Sequence, residues 1–445
     1  MRDGSKTHQT TNPARYTLGH AMFIVRQIET SATRRAVFEE IKAKNRIIRW
    51  VDRVYAAGGS FLVRRLLLCI YMIKCVGALA GKAQPDTAAI AIANFGNEVH
   101  TVERIKALVS TVSILLVRPS VRNAIKPAQL IAMLRMTGAI PRFWFVLGQL
   151  AKRYDFMPAC RVASALAYYW RFGNMLDAGP ESMAALTASN YSPEAVGLSA
   201  AAHQRNRKVI YVNHAPVPRN SPYVPPVLAD ISVFYGDTVR ETYAQRSRCV
   251  THPVYIGLPD AAQEMILSEK LNRVGIFLTA LTRKETIVRL ISEIRLAHPD
   301  AKVLIRHHPV SLLETDLSDL VENDPGTTVT IGSPLSEDIA ACEAVICGNS
   351  GVILNTLHAG RPVAYVPELD ELPQDYNGFL ESGLVPCLES WDVGTLATLG
   401  SFYREPAWQD VMIGYNASYG QVPGALEQQA RDCLLTALDQ RPLPA

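Results

Sequence analysis

The 445 residues exceed what one ordinary hydrophobic core organises, so two domains are expected. With 48% apolar and 19% charged residues the chain is globular, not disordered. Net charge is only +4, but residues 1–84 carry +10 and the remainder −6, which argues against a generic nucleic-acid binder, whose positive charge would line the site itself.

Taken in order, residues 1–15 are polar, and Tyr16 to Ala57 has helical apolar spacing with Arg and Lys between. Phe61 to Ala80 is the most apolar stretch, but Arg64, Arg65 and Lys74 interrupt it. It is expected to lie in a membrane interface or dock on the next domain, not to span a bilayer. A basic arm on an acidic body fits an anionic membrane face. It fits equally a solvated helical extension. The amino terminus lacks a signal-peptide pattern, so a cytoplasmic location is expected, with peripheral contact at the inner face of the membrane. The eight cysteines show no zinc spacing and are expected as reduced thiols.

From residue 85 a β/α rhythm sets in. Strands are expected at Ala88–Phe95, Ile114–Val117, Ala185–Ala188, Lys208–Val212, Asp230–Tyr235 and Pro253–Ile256, with helices between and polar residues at the strand ends. Residues 125–177 read as helical packing. The segment after Val212, Asn213-His214-Ala215-Pro216, opens a loop with five prolines up to Pro226. Glu98 or His100, after the first strand, could reach a ligand; Glu98 is also placed to cap the helix there. His214 is a candidate general base, although a lone loop histidine is more often structural.

A second domain follows Gly257. Strands are expected at Val274–Leu278, Val303–Ile305, Thr327–Ile331, Ala344–Cys347 and Pro362–Val366, and a helix at Gly424–Asp439. Thr279 follows the first of these. Arg306-His307-His308-Pro309 and Gly348-Asn349-Ser350-Gly351 follow two others. Ligands of parallel α/β sheets bind beyond the carboxyl ends of the strands. Arg306, His308, Asn349, Ser350, Gly351 and Thr279 are therefore candidate phosphate ligands, by donation from cationic, hydroxyl and backbone groups. Asn and Ser are also ordinary helix caps, so two readings of that turn stand. No metal-ligand spacing follows the His-His pair. P-loop, dinucleotide, serine-hydrolase and DxD patterns have no useful context, which removes those classes.

The expected architecture is α/β, two Rossmann-like domains facing a cleft: 1–84 basic helical, 85–257 first domain, 258–445 second domain with a carboxyl-terminal helix. The run from Lys302 to Val366, with His308-Pro309, Asn349-Ser350-Gly351 and the Gly-Arg-Pro-Val strand, resembles the second domain of GT-B-fold transferases of bacterial surface polysaccharides, and the resemblance as a whole covers roughly residues 184–366. Capsular sialyltransferases and Kdo transferases, and polyol-phosphate transferases of teichoic acid synthesis, are the groups resembled. Asn213-His214-Ala215-Pro216 stands where the latter have His-Gly-Thr-Pro, with Ala215 in place of the glycine. The resemblance implies a metal-independent glycosyltransferase taking a nucleotide-sugar donor, a CMP-sugar favoured, to a glycan or lipid-linked acceptor. It implies donor binding by His308 and Ser350, with His214 or Glu98 as base. The alternatives are a CDP-polyol phosphotransferase, a sugar-nucleotide 2-epimerase and a membrane-associated scaffold.

Overall fold

The computed structural model describes residues 15–57, 61–79, 84–119, 126–279, 282–308, 316–370, 375–422 and 424–438. Its first sheet comprises β1 (Thr87–Ile92), β2 (Ser113–Val117), β3 (Ala184–Thr187), β4 (Val209–Val212), β5 (Val227–Phe234) and β6 (Cys249–Tyr255) in the order β2-β1-β3-β4-β5-β6. Every neighbouring pair is parallel. The second comprises β7 (Arg273–Phe277), β8 (Lys302–Arg306), β9 (Thr327–Thr330), β10 (Ala344–Cys347) and β11 (Val363–Tyr365), also all parallel, in the order β11-β10-β7-β8-β9. Central strands such as Val209-Ile210-Tyr211-Val212 and Ala344-Val345-Ile346-Cys347 are buried throughout. Unbroken apolar runs are what strands covered on both faces require. The expected pair of Rossmann-like domains is thus observed.

Register aligns the strand ends that matter. Cys347 pairs with Phe277, and Phe277 with Arg306, so Thr279, His308 and Asn349 each lie two residues beyond one line across the second sheet. In the first sheet Ile92, Thr187 and Tyr211 are in register, which sets Asn94, Ser189 and Asn213 at one edge. Strand order reverses between β1 and β3 in the first sheet, and between β7 and β10 in the second. Such switch points open a crevice at the carboxyl edge.

One face of the first sheet is covered by α7 (Phe156–Asp177) and α8 (Pro193–Gln204). Outside them lie α1 (Leu18–Glu29), α4 (Phe61–Gly77) and α6 (Pro127–Arg153); α2 (Ala32–Lys44) and α3 (Arg46–Ala57) lie between α1 and α4 in the chain. Ile24, Val25, Leu68, Met72 and Val76 are buried in the same core as α7 and α8, so the basic amino-terminal helices dock on the first domain. The opposite face is covered by α5 (Gly96–Leu108) and, from the far end of the chain, α16 (Ala425–Leu438). That terminal helix packs on the first sheet, not on the domain that precedes it in sequence.

In the second domain α10 (Lys284–Ala297) and α13 (Val352–His358) flank the sheet, with α14 (Thr395–Arg404) and α15 (Pro406–Tyr415) after β11. The chain crosses between domains at Ile256–Pro259 and again after Tyr415. Gly257 has φ +61°, and a Cβ there would lie 2.3 Å from Ser418 Oγ, so the crossing requires glycine.

Candidate functional site between the sheets

A cleft of about 740 Å³ lies between the two domains. The first domain contributes Asn97, His100, Thr101 and Arg104 from α5, and His214, Ala215 and Pro216 from the loop after β4. Gly351, Leu354 and Asn355 at α13 form the opposite wall. The walls approach closely: a Cβ on Gly351 would lie 3.2 Å from Pro216 Cδ, tighter than relaxed contact. His214 and Gly351, singled out separately in the sequence, therefore face each other across one cleft.

His214 is the most unusual group on that wall. Burial lowers its pKa to about 4, against the small opposing effect of a hydrogen bond to the Ala188 carbonyl. Its Nδ1 is buried and has no hydrogen-bond partner among the described residues. A neutral imidazole held by one nitrogen presents the other as a fixed acceptor. Buried polar atoms are rarely left unpaired without a reason.

The other candidate residues occupy different positions. Glu98 is buried, and its Oε2 accepts the backbone N–H of Asn94 at 2.6 Å and of Phe95 at 3.3 Å. It closes the first turn of α5, while the residues of that helix in the cleft are Asn97, His100, Thr101 and Arg104. Burial raises the Glu98 pKa, and those two N–H groups oppose the rise. The Arg306 guanidinium is taken up by the Asp338 carboxylate, by Ser333 Oγ at 3.0 Å and by the Ser333 carbonyl at 2.9 Å. It braces β8 against the turn before α12 (Leu335–Ala340) and is not on the cleft wall. Arg104 donates to the carbonyls of Gly257 and Ile256 and pairs with Glu427 at 3.0 Å, which ties α5 to the interdomain crossing and to α16.

Asn349 is a structural hub. Its backbone N–H donates to Asp370 Oδ2 at 2.7 Å, and its amide donates to Asp370 Oδ1 at 3.2 Å. Its Oδ1 accepts from the Tyr365 hydroxyl at 2.9 Å and from the Tyr376 N–H at 2.6 Å. Tyr376 in turn accepts the Asn220 N–H at 3.0 Å through its carbonyl, and Asn220 Nδ2 donates to the Asp375 carbonyl at 2.7 Å. The strand end of β10 thereby grips the proline-rich loop that carries His214. Arg219 and Glu381 add an ion pair at 3.4 Å across the same junction.

Ser350 is buried, and its Oγ accepts the Val352 N–H at 3.3 Å. Thr279 is buried at the end of β7, with its carbonyl accepting from the Thr282 hydroxyl at 3.0 Å. His308 is half-buried beyond β8. Pro309 lies outside the described residues.

A second cavity of about 300 Å³ sits at the switch point between β1 and β3. Asn94, Phe95, Tyr191, Ser192 and Glu194 line it from the sheet edge, with Tyr71, Lys74, Arg34, Arg161, Tyr168 and Glu29 around them. Burial opposes the charge of Arg161, but Glu194 and Glu29 outweigh it and hold the guanidinium firmly charged. Arg161 lies 3.1 Å from Glu29 and 3.8 Å from Glu194. Glu194 Oε2 is buried and makes no hydrogen bond among the described residues. In the sequence, Ser192-Pro193-Glu194 reads as a helix start, and Ser192 Oγ does cap α8 by accepting the Ala195 N–H. Only the strand order reveals that this start faces a crevice.

Among the described residues no group of three or more His, Cys, Asp or Glu side chains could hold a metal ion. No protein-family model matches the sequence, and no curated protein matches it. Solved structures align with it over most of its length. UDP-GlcNAc 2-epimerase from Neisseria meningitidis, bound to UDP-GlcNAc, aligns at 10% identity and TM-score 0.48, over 79% of this chain and 100% of its own. The glycosyltransferase SnogD from Streptomyces nogalater aligns at 13% identity and TM-score 0.45, over 78% and 99%. HepE from Anabaena, in complex with UDP-glucose, aligns at 12% identity and TM-score 0.42, over 78% and 99%. One of the three is named as a glycosyltransferase and one as an epimerase; the capsular and teichoic-acid groups resembled in sequence are not among them. Two of them were solved with uridine-diphosphate sugars. At such identity the likeness is one of fold.

Proposed function

We propose that the chain is a glycosyltransferase that moves a sugar from a nucleotide-activated donor to a glycan or lipid-linked acceptor hydroxyl. The observation that carries this reading is the interdomain cleft at the carboxyl edges of two parallel sheets, with His214, whose Nδ1 is unpaired among the described residues, in its wall. In this reading the second domain holds the donor phosphate near His308 and Ser350. The first domain holds the acceptor, with its hydroxylated ring in the crevice of Glu194, Arg161 and the tyrosines. The His214 imidazole takes the proton of the acceptor hydroxyl as the new bond to the sugar carbon forms and the bond to the nucleotide phosphate breaks. His100 is the other imidazole available on the wall. No bound metal takes part; donor groups of the second domain offset the charge on the departing phosphate.

The test is nucleotide release from UDP-, CMP- and CDP-activated donors, with and without acceptor glycans. Acceptor-dependent release that falls about a hundredfold or more in His214→Ala, with the circular dichroism spectrum unchanged, is expected. Turnover should persist in EDTA. Full activity in both His214→Ala and Ser350→Ala sinks the site. Conversion of a UDP-sugar without any acceptor makes the enzyme an epimerase, and failure to bind any of the three nucleotides in calorimetry leaves the scaffold reading.

A further inference from the structure

Three helices of the first domain turn apolar side chains toward solvent in rows. On α6 the outward positions Pro127, Leu130, Ile131, Leu134, Gly138, Pro141 and Phe145 are exposed, with Leu134 at 65% and Phe145 at 72%. On α4 the row is Leu62, Leu66 and Ile70, ending in Lys74, spaced four residues apart. On α3 it is Ile47, 74% exposed, and Trp50, 64% exposed. Among the described residues of the second domain, exposed apolar ones such as Leu296 and Ile331 form no row of three along one helix. Scattered ones are ordinary on any protein, whereas rows along packed helices mark a contact surface.

Charge selects the occupant. Across α3, α4 and α6 there are ten Lys and Arg and one acidic residue, Asp52. α6 alone has Arg135, Arg142, Lys152 and Arg153 and no acid in 27 residues. A second copy of the same face would bring like charges together, while an anionic bilayer complements them. Basic residues beside Trp, Phe and Leu on a surface helix are the composition of an interfacial membrane helix. By length and composition α6 could cross a bilayer. Its inner side, however, is fixed along the protein by buried Ala132, Met136, Ala139, Leu147 and Leu150, so it lies along a surface instead.

We propose that the outer face of α3, α4 and α6 seats the protein on an anionic phospholipid surface, with Trp50, Leu66, Leu134 and Phe145 entering the headgroup–acyl boundary. This does not depend on the transferase reading. It does extend the basic amino-terminal segment into a helix that the sequence placed with domain packing. Basic side chains near an anionic surface are attracted to it, and salt screens that attraction.

The experiment is cosedimentation of the full-length protein with phosphatidylcholine vesicles, with and without phosphatidylglycerol. Binding to the anionic vesicles, released by high salt, is expected. Combined Leu134→Glu and Phe145→Glu substitution should cut the bound fraction roughly tenfold while the melting temperature stays unchanged, because neither side chain is buried. Arg135→Gln with Arg142→Gln should reduce the preference for phosphatidylglycerol. No cosedimentation, or binding that the Glu variant leaves intact, overturns the proposal. So does a dimer in sedimentation equilibrium that the Glu variant dissolves, which would give this face to a second copy.

Discussion

Two histidines show how hydrogen bonding separates a structural group from a candidate ligand. His358 is completed within the protein: its Nε2 donates to the Pro259 carbonyl at 2.8 Å and its Nδ1 accepts from Asn416 at 2.8 Å. His214 is half-buried, and only one of its nitrogens is used. The His214 pKa falls from 6.5 to about 4 on folding, chiefly through burial. Between those values the unfolded chain binds a proton that the native state refuses. The native state is therefore fully favoured above pH 6.5 and loses stability as pH falls toward 4. The total loss from this residue is about 3 kcal/mol. Urea unfolding of wild type and His214→Gln between these limits should give a shallower pH slope for the variant. Parallel slopes would show that the imidazole charges freely in the native state.

At the scale of elements, the turn after β10 decides whether Asn349 is a ligand or a latch. As a latch it satisfies Asp370, the Tyr365 hydroxyl and the Tyr376 N–H at once. Asn349→Ala should then cost about 2–3 kcal/mol, because buried partners are left unpaired. Asn220→Ala removes only the amide bond to Asp375, so about 1 kcal/mol of stability should go. Turnover should fall more than that suggests, because the loop bearing His214 loses its grip. Urea midpoints and initial rates together decide the matter: Asn349→Ala with unchanged stability and lost turnover makes it a ligand contact. The turn itself was legible in the sequence, since a wholly apolar strand, a Gly-Asn-Ser-Gly break and a helix can be read from periodicity and turn chemistry. So were the strands from β1 to β11. Less legible were the partners: Arg306 is drawn to Asp338, and Asn349 to Asp370, across gaps in sequence that no local pattern signals. The crevice at Glu194 escaped for the same reason, because strand order exists only after folding.

At the scale of the molecule, the chain order hides a dependence between its halves. Sequence divides neatly after Gly257, yet α16 from the far end covers the first sheet through Ala430, Cys433, Leu434, Ala437 and Leu438. Asn416 secures the second crossing beside the first by accepting the Leu258 N–H at 2.8 Å and bonding His358. Removing α16 would uncover β5 and β6, whose Ile231, Val233 and Val254 share its core, together with its own apolar face. Two leucines and three smaller residues contribute on the order of 5 kcal/mol. That is comparable to the net stability of a whole domain, roughly 5–15 kcal/mol. A fragment ending at Gly257 is therefore expected to show no cooperative thermal transition by circular dichroism. Joining residues 424–438 to it through a flexible spacer should restore one, because the helix returns to the same sheet face. If the short fragment alone melts cooperatively at the temperature of the intact chain, α16 is an accessory cover and the first domain is self-sufficient.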